Sequence, residues 1–230
     1  MEKIKNGITE LVFILDRSGS MSGLEADTIG GFNSLIAKQK KEEGEAYIST
    51  VLFDDESEVI YDRVSLDEIK PMTDEEYYVR GCTALLDAVG NSIKHIENIH
   101  KYARDEDRPE KTLFVITTDG QENSSREYSY RKVKKMVEKQ KKEYGWEFLF
   151  LGANIDAAAE AEKFGIARDR AVKYHSDKEG TAVNYRALSR AVSSVRQCED
   201  VDELSEALMG WDDEIVEDYA ARDEKRYLFS

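Results

Sequence analysis

The sequence predicts an α/β fold: a central, mostly parallel sheet flanked by helices, with a short antiparallel strand at one edge. Three observations predict it. Four runs of strand length are apolar at nearly every position, LVFIL (11–15), AYISTVLF (46–53), TLFVITT (112–118) and WEFLFLGA (146–153); strands of a parallel sheet covered on both faces have this composition. Segments of helical periodicity fall between the runs, and regular alternation of strand and helix defines the α/β class. The chain has 230 residues, 40% hydrophobic and with only two prolines, which suits one large folded domain with or without an appendage.

The elements follow in order. The first run is followed by Asp16. Residues 24–41 place Leu24, Ile29, Phe32, Leu35 and Ile36 on one helical stripe, and Ser22 with Glu25 makes an S-x-x-E capping box at its start. The second run leads into DDES (54–57), a hairpin turn, and then into SEVIYDRVSL (57–66), whose alternation marks the edge strand. Leu85, Leu86, Val89, Ile93, Ile96 and Ile99 predict a helix over 84–104. The third run precedes a strongly basic helix over 128–144 that carries Val133, Met136 and Val137. The fourth leads to an Ala-rich helix over 156–164, capped by Asp156. A short strand at AVKYH (171–175) and an amphipathic helix over 179–195 complete a domain assigned to residues 1–197.

Residues 198–230 are read as an acidic C-terminal helical extension. They hold twelve acids and three bases, a net −9 of the chain's −15. Val201, Leu204, Leu208, Trp211 and Ile215 keep the spacing of a helical stripe, weakened at Gly210. The extension is expected to pack on its own domain, with docking into a partner's groove as the alternative.

Charge and composition exclude several functions. A net charge of −15 argues against nucleic acid as a direct partner, because phosphate binding needs clustered Lys and Arg. No run approaches the roughly 20 apolar residues of a membrane span, and MEKIKNGITE carries no apolar signal segment. A cytoplasmic location without membrane contact is the expectation. Cys82 and Cys198 form no disulfide framework, and both are expected to be ordinary thiols, Cys82 semi-buried. His95 and His100 are five residues apart, off the three-or-four spacing that puts two ligands on one helix face, and His175 is isolated, so no histidine zinc site is expected.

Five residues carry the chemistry: Asp16, Ser18 and Ser20 in LVFILDRSGSMSG, Thr83 in RGCTALLDAV, and Asp119 in LFVITTDGQENSS. Two carboxylates and three neutral hydroxyls are oxygen ligands of the kind hard divalent cations accept. Asp16 and Asp119 each stand just past an apolar strand, where ligands of open α/β sheets bind. Two carboxylates brought together without a partner repel and raise each other's pKa, and a cation removes that conflict. Gly19 lets the loop turn so that the hydroxyls of Ser18 and Ser20 point the same way. Each piece alone has a plainer role. Asp119-Gly120 makes a turn, Thr83 an N-cap, and Ser18 and Ser20 polar loop residues. Their order and their attachment to the right elements make the combination specific.

With these residues in place the chain resembles a von Willebrand factor A-type (VWA) domain with a complete metal-ion-dependent adhesion site (MIDAS). That family has D-x-S-x-S after the first strand, a Thr before a later helix and an Asp after the fourth strand. Here these are Asp16-Arg17-Ser18-Gly19-Ser20, Thr83 within Gly81-Cys82-Thr83-Ala84-Leu85, and Asp119 within Thr117-Thr118-Asp119-Gly120, over a resemblance spanning roughly residues 8 to 195. The resemblance implies a Rossmann-like, doubly wound sheet with a metal on its upper rim. The metal would be held by Asp16, Ser18, Ser20, Thr83 and Asp119, with no catalytic residue. It implies Mg2+, with Mn2+ or Ca2+ as substitutes, and a partner protein that offers Glu or Asp to the open coordination position. Intracellular members of such a family work in multiprotein assemblies, including partners of AAA+ ATPases and stress-response clusters.

Two other functions compete. An Asp after the first strand with Mg2+ also begins phosphoryl-transfer sites of the haloacid dehalogenase type, but those use D-x-D, and position 18 is Ser; no P-loop is present either. A metal-mediated homo-oligomer is the other, the acidic extension of one copy supplying the carboxylate to the next. Around the motif, Arg17 and Met21 are expected to face a partner, with Arg17 pairing an incoming carboxylate. Asp54 and Asp55 are read as turn acids, and Glu122 and Asn123 as a solvated loop.

Overall fold

The computed structural model describes residues 7–200 and 203–228, the side chains of 225–228 excepted. The described residues form six strands: β1 (Thr9–Asp16), β2 (Ala46–Phe53), β3 (Ser57–Ser65), β4 (Lys111–Thr118), β5 (Glu147–Ala153) and β6 (Ala171–Tyr174). The helices are α1 (Glu25–Gln39), α2 (Leu85–Tyr102), α3 (Tyr130–Tyr144), α4 (Ala157–Lys163), α5 (Lys178–Gln197), α6 (Leu204–Ala207) and α7 (Asp213–Leu228). The sheet runs β3-β2-β1-β4-β5-β6, with β3 alone antiparallel to its neighbour.

Alternation along the central strands explains their continuous apolar character. Leu11, Phe13 and Leu15 of β1 enter one core with Leu113 and Val115 of β4, packed under α1 and α5. Val12 and Ile14 enter the other with Phe114 and Ile116, under α2, α3 and α4. Both faces of β1 and β4 are therefore apolar at the strand centres, as a sheet sandwiched between helices requires, while buried polar residues such as Glu10, Thr112 and Thr118 lie toward the strand ends. The predicted stripe of α1 faces the first core through Phe32, Leu35 and Ile36.

Strand order decides where a ligand can sit. The chain winds outward from β1 through β2 to β3, then returns to β4 on the other side of β1 and winds the opposite way. The crevice beyond the carboxyl ends of β1 and β4 is thus the topological switch point, the usual ligand position in such sheets.

Two local expectations need correction. The Ser22–Glu25 capping box does not form. A single 3-10 turn over Gly19–Met21 buries Met21, α1 starts after Leu24 with no side-chain cap, and Glu25 bonds Gly23 N at 2.7 Å instead. The C-terminal stripe is not one helix. Gly210 adopts φ +67°, so the chain turns between α6 and α7. Leu204, Leu208, Trp211 and Ile215 are nevertheless buried in the first core, and Arg170 donates to Ser205 O at 2.6 Å. Val201 lies outside the described residues. No helix among the described residues is long and apolar enough to cross a membrane.

Candidate metal centre

Asp16 closes β1 and Asp119 follows β4, so adjacent parallel strands deliver both carboxylates to the switch point. Thr118 ties Asp16 to the turn that carries Asp119: its Oγ1 donates to Asp16 Oδ2 at 2.6 Å and accepts from Gly120 N at 3.3 Å. The other Asp16 oxygen accepts from Ser18 N at 2.7 Å. Ser18 Oγ and Ser20 Oγ lie 3.0 Å apart, and Ser20 Oγ donates to Asp119 Oδ1. Asp119 Oδ2 accepts from Ser176 Oγ at 3.2 Å.

Thr83 reaches the same place from the loop before α2. A methyl group added at Gly120 would fall 3.4 Å from both Ser20 Oγ and Thr83 Oγ1, so the Gly120 backbone lies against these two hydroxyls together. Several backbone bonds pin the Thr83 loop: Arg80 N to Arg17 O at 2.9 Å, Gly19 N to Gly81 O at 3.2 Å and Ala84 N to Asp54 O at 2.7 Å. Thr83 does not cap α2. Its N–H donates to Asn123 Oδ1 at 3.0 Å, and its carbonyl accepts from Asn123 N at 3.0 Å. The end of α2 is served by Glu122, which accepts from Leu86 N at 2.9 Å. Glu122 is half-buried and Asn123 exposed, in line with a solvated loop, but both also clamp the Thr83 loop.

All five predicted residues thus gather at one end of the sheet. Asp16, Ser18, Thr83 and Asp119 are buried, while Ser20 is exposed and marks the open side. Arg17 and Met21, expected to face a partner, are both buried. Arg17 is wholly buried and pairs with Asp54 at 2.8 Å, so it is committed inside the fold. Cys82, expected semi-buried, is exposed. The histidines are engaged elsewhere: His95 with Asp62, His100 with Glu10 and His175 with Tyr219. Sequence reasoning missed Tyr77, Thr118 and Ser176. Tyr77 lies far from any recognisable element, yet its hydroxyl donates to Asp16 O at 2.6 Å.

The donor set fits a hard cation. It offers carboxylate and hydroxyl oxygens only, without nitrogen or sulfur. Burial pushes the Asp16 carboxyl above its usual range, aided by the nearby Asp119 charge, against bonds from Thr118 and Ser18. Burial likewise raises Asp119 against bonds from Ser20 and Ser176. Among the described residues no Lys, Arg or His is one of the main groups that stabilise either charge, and a cation is what such a pair lacks. Among the described residues no three His, Cys, Asp or Glu side chains converge on one point. The centre has two carboxylates, and hydroxyls make up the remainder.

Solved structures share this fold. Proximal thread matrix protein 1 from the mussel byssus, in a form with a zinc-occupied MIDAS motif, matches with a TM-score of 0.53 at 16% identity, over 80% of this chain and 45% of its own. A von Willebrand factor type A structure from Catenulispora acidiphila matches with 0.52 at 15% identity, over 79% of this chain and 41% of that one. The fold is therefore that of VWA domains: a six-stranded, mostly parallel Rossmann-like sheet with one antiparallel edge. The chain spans less than half the length of these proteins. No protein-family model matches it, and a search of curated proteins found no match.

Proposed function

We propose that the protein is a VWA-type binding module, not an enzyme, and that it grips a partner protein through a divalent metal held by Asp16, Ser18, Ser20, Thr83 and Asp119. The observation that carries this reading is the convergence of two buried carboxylates, neither stabilised by a cationic side chain, with three hydroxyls at the β1/β4 switch point. When bound, a metal with so few anionic ligands keeps enough positive charge to accept a carboxylate oxygen from outside. The chain's own residues do the rest. Asp16 and Asp119 supply the charge, Ser18 and Ser20 present hydroxyls from a turn that Gly19 and Gly81 hold close, and Thr83 closes the other side. The exposed Ser20 edge is where a Glu or Asp of the partner arrives. Mg2+ is the proposed ion on donor chemistry, with Mn2+ or Ca2+ as substitutes; the zinc at the mussel protein's motif supports divalent occupancy in this fold. A cytoplasmic multiprotein assembly, such as one built on an AAA+ ATPase or a stress-response cluster, is the proposed setting.

Melting with MgCl2 and with EDTA tests the metal. At an excess of about 100 times Kd, linkage stabilises by roughly 2.7 kcal/mol. Asp119→Ala should abolish the shift. Capture of a partner from lysate should be lost with chelator and in Asp119→Ala. Melting and capture that ignore EDTA would sink the reading. Turnover of a generic phosphoester with Mg2+, abolished by Asp16→Asn, would replace it with phosphoryl transfer.

A further inference from the structure

Charge is divided unevenly between the two sides of the sheet. Helix α3 carries seven Lys and Arg against two Glu, a net +5 in a chain of −15. It packs on the second core through Val133 and Val137. Its outward ridge is Arg131, Lys135, Glu138 and Lys142, all exposed. On the other side of the sheet, Ile215 anchors α7 in the first core. The outward ridge of α7 is Asp213, Glu217, Ala220 and Glu224, again all exposed. Neighbouring charges are matched within the fold: Glu214 holds Arg186 and Arg190, Asp218 holds Arg222, and Lys139 holds Glu97. The three bases of the α3 ridge and the three acids of the α7 ridge form no ion pair among the described residues.

We propose that the α3 ridge of one copy docks on the α7 ridge of a second copy, side by side and parallel. Positions 131, 135 and 142 share one spacing with positions 213, 217 and 224: four residues, then seven. At 1.5 Å per residue both sets rise about 6 Å and then about 10 Å. Three opposite charges therefore align at once, Arg131 with Asp213, Lys135 with Glu217 and Lys142 with Glu224. Glu138, the one acid of the α3 ridge, falls opposite Ala220 and meets no like charge. Run antiparallel, at most two of the three pairs align. The ridges lie on opposite sides of the sheet, so a chain cannot satisfy its own. The contact is heterologous: each copy keeps a free α3 and a free α7, which builds a ring or an open chain. Single exposed ion pairs are weak, so association depends on concentration and on salt. The net −15 repels copies at a distance. At physiological ionic strength the Debye length of about 8 Å confines that repulsion, and the local match decides. No metal takes part, so the contact stands apart from the metal reading above and from a metal-bridged oligomer.

Sedimentation velocity of the full chain over a rising concentration series, in EDTA and in MgCl2, tests the docking. At about 0.15 M NaCl the weight-average sedimentation coefficient should climb with concentration; at about 1 M, where the Debye length is about 3 Å, it should stay at the monomer value. EDTA and MgCl2 should give the same climb. Lys135→Glu/Lys142→Glu and Glu217→Lys/Glu224→Lys should each lose it. All four substitutions in one chain recreate the pairs with their signs exchanged and should restore it, which a damaged fold would not. A wild type that stays monomeric throughout would overturn the docking and leave α3 open to a different acidic partner. A climb that both double variants keep, that the fourfold variant fails to recover, or that needs MgCl2 would overturn it as well.

Discussion

Arg17 and Asp54 form a buried ion pair one residue from Asp16, with Nε to Oδ2 at 2.8 Å and neither side chain more than 1% exposed. Asp54 is the junction of the loops that carry the site. Arg80 shares the same oxygen at 2.7 Å, Ala84 N donates to the Asp54 carbonyl at 2.7 Å, and Glu56 N donates to Oδ1 at 2.9 Å. Asp54→Asn leaves the Arg17 charge buried with the outer Glu58 as its remaining counterion among the described residues. Removing one partner of a buried pair costs about 3–5 kcal/mol. Urea unfolding of Asp54→Asn should show a loss near the lower figure; a loss under about 1 kcal/mol would mean the pair is not structural. The pH dependence has a definite sign. Burial works against the Asp54 charge, but Arg80, Glu56 N and Arg17 outweigh it and hold the carboxyl below its usual range. Its contribution is present above the unfolded value of about 3.9 and is lost as pH falls through the depressed folded value. The stability gap between wild type and Asp54→Asn should therefore close on acidification.

Tyr77 acts on the backbone of the site. It is fully buried and donates to Asp16 O. Tyr77→Phe removes the donor and strands a buried carbonyl, a cost of about 1–2 kcal/mol. Denaturant unfolding with an unchanged slope should report it, because the ring still fills its space. An unchanged midpoint would show that the bond contributes nothing.

Gly81 is held at φ +66°, and an added methyl group would meet Asp55 Oδ1 at 1.9 Å and Asp54 Cβ at 3.3 Å. Gly81→Ala should destabilise by about 1–2 kcal/mol from the left-handed backbone alone, with displacement of Asp55 besides. Gly30, mid-helix in α1 with nothing within 4 Å of an added methyl group, is the control. Gly30→Ala should stabilise by about 0.5–1 kcal/mol. Similar effects from the two substitutions would discount the conformational explanation.

The motif was legible because its context is local. An apolar run reveals a strand, and the first polar residue after it marks the carboxyl end, as at Asp16 and Asp119. Thr83 was legible through the resemblance, but what holds it was not. Asn123 and Gly120 meet it only once β4 lies beside β1. Arg17 misled for the same reason: its partner Asp54 is 37 residues away and has the local signature of a turn acid. Ser176 had no signal at all, since its contact with Asp119 depends on the order of β4, β5 and β6. The capping box failed because Met21 is drawn into the core, which shifts the start of α1 past Ser22. In the C-terminal segment the apolar spacing was sound, and the conformation of Gly210 decided the break.

The two site carboxylates give a prediction opposite in sign to that for Asp54. Burial raises Asp16, with Asp119 adding to it, and burial raises Asp119. A carboxyl whose folded pKa exceeds its unfolded value contributes stability below the unfolded pKa and loses it as pH rises through the folded value. At neutral pH the charged pair therefore strains the metal-free fold. Asp119→Asn should melt higher than wild type in EDTA, yet lose the stabilisation that MgCl2 gives wild type. The same protons compete with the metal, so the wild-type response to MgCl2 should shrink as pH is lowered, beginning above the ordinary carboxylate range. Scanning melts across pH with MgCl2 and with EDTA measures both effects. An Asp119→Asn variant that melts lower than wild type in EDTA would show that Asp119 supports the empty fold, and that charge relief is not what a metal supplies there.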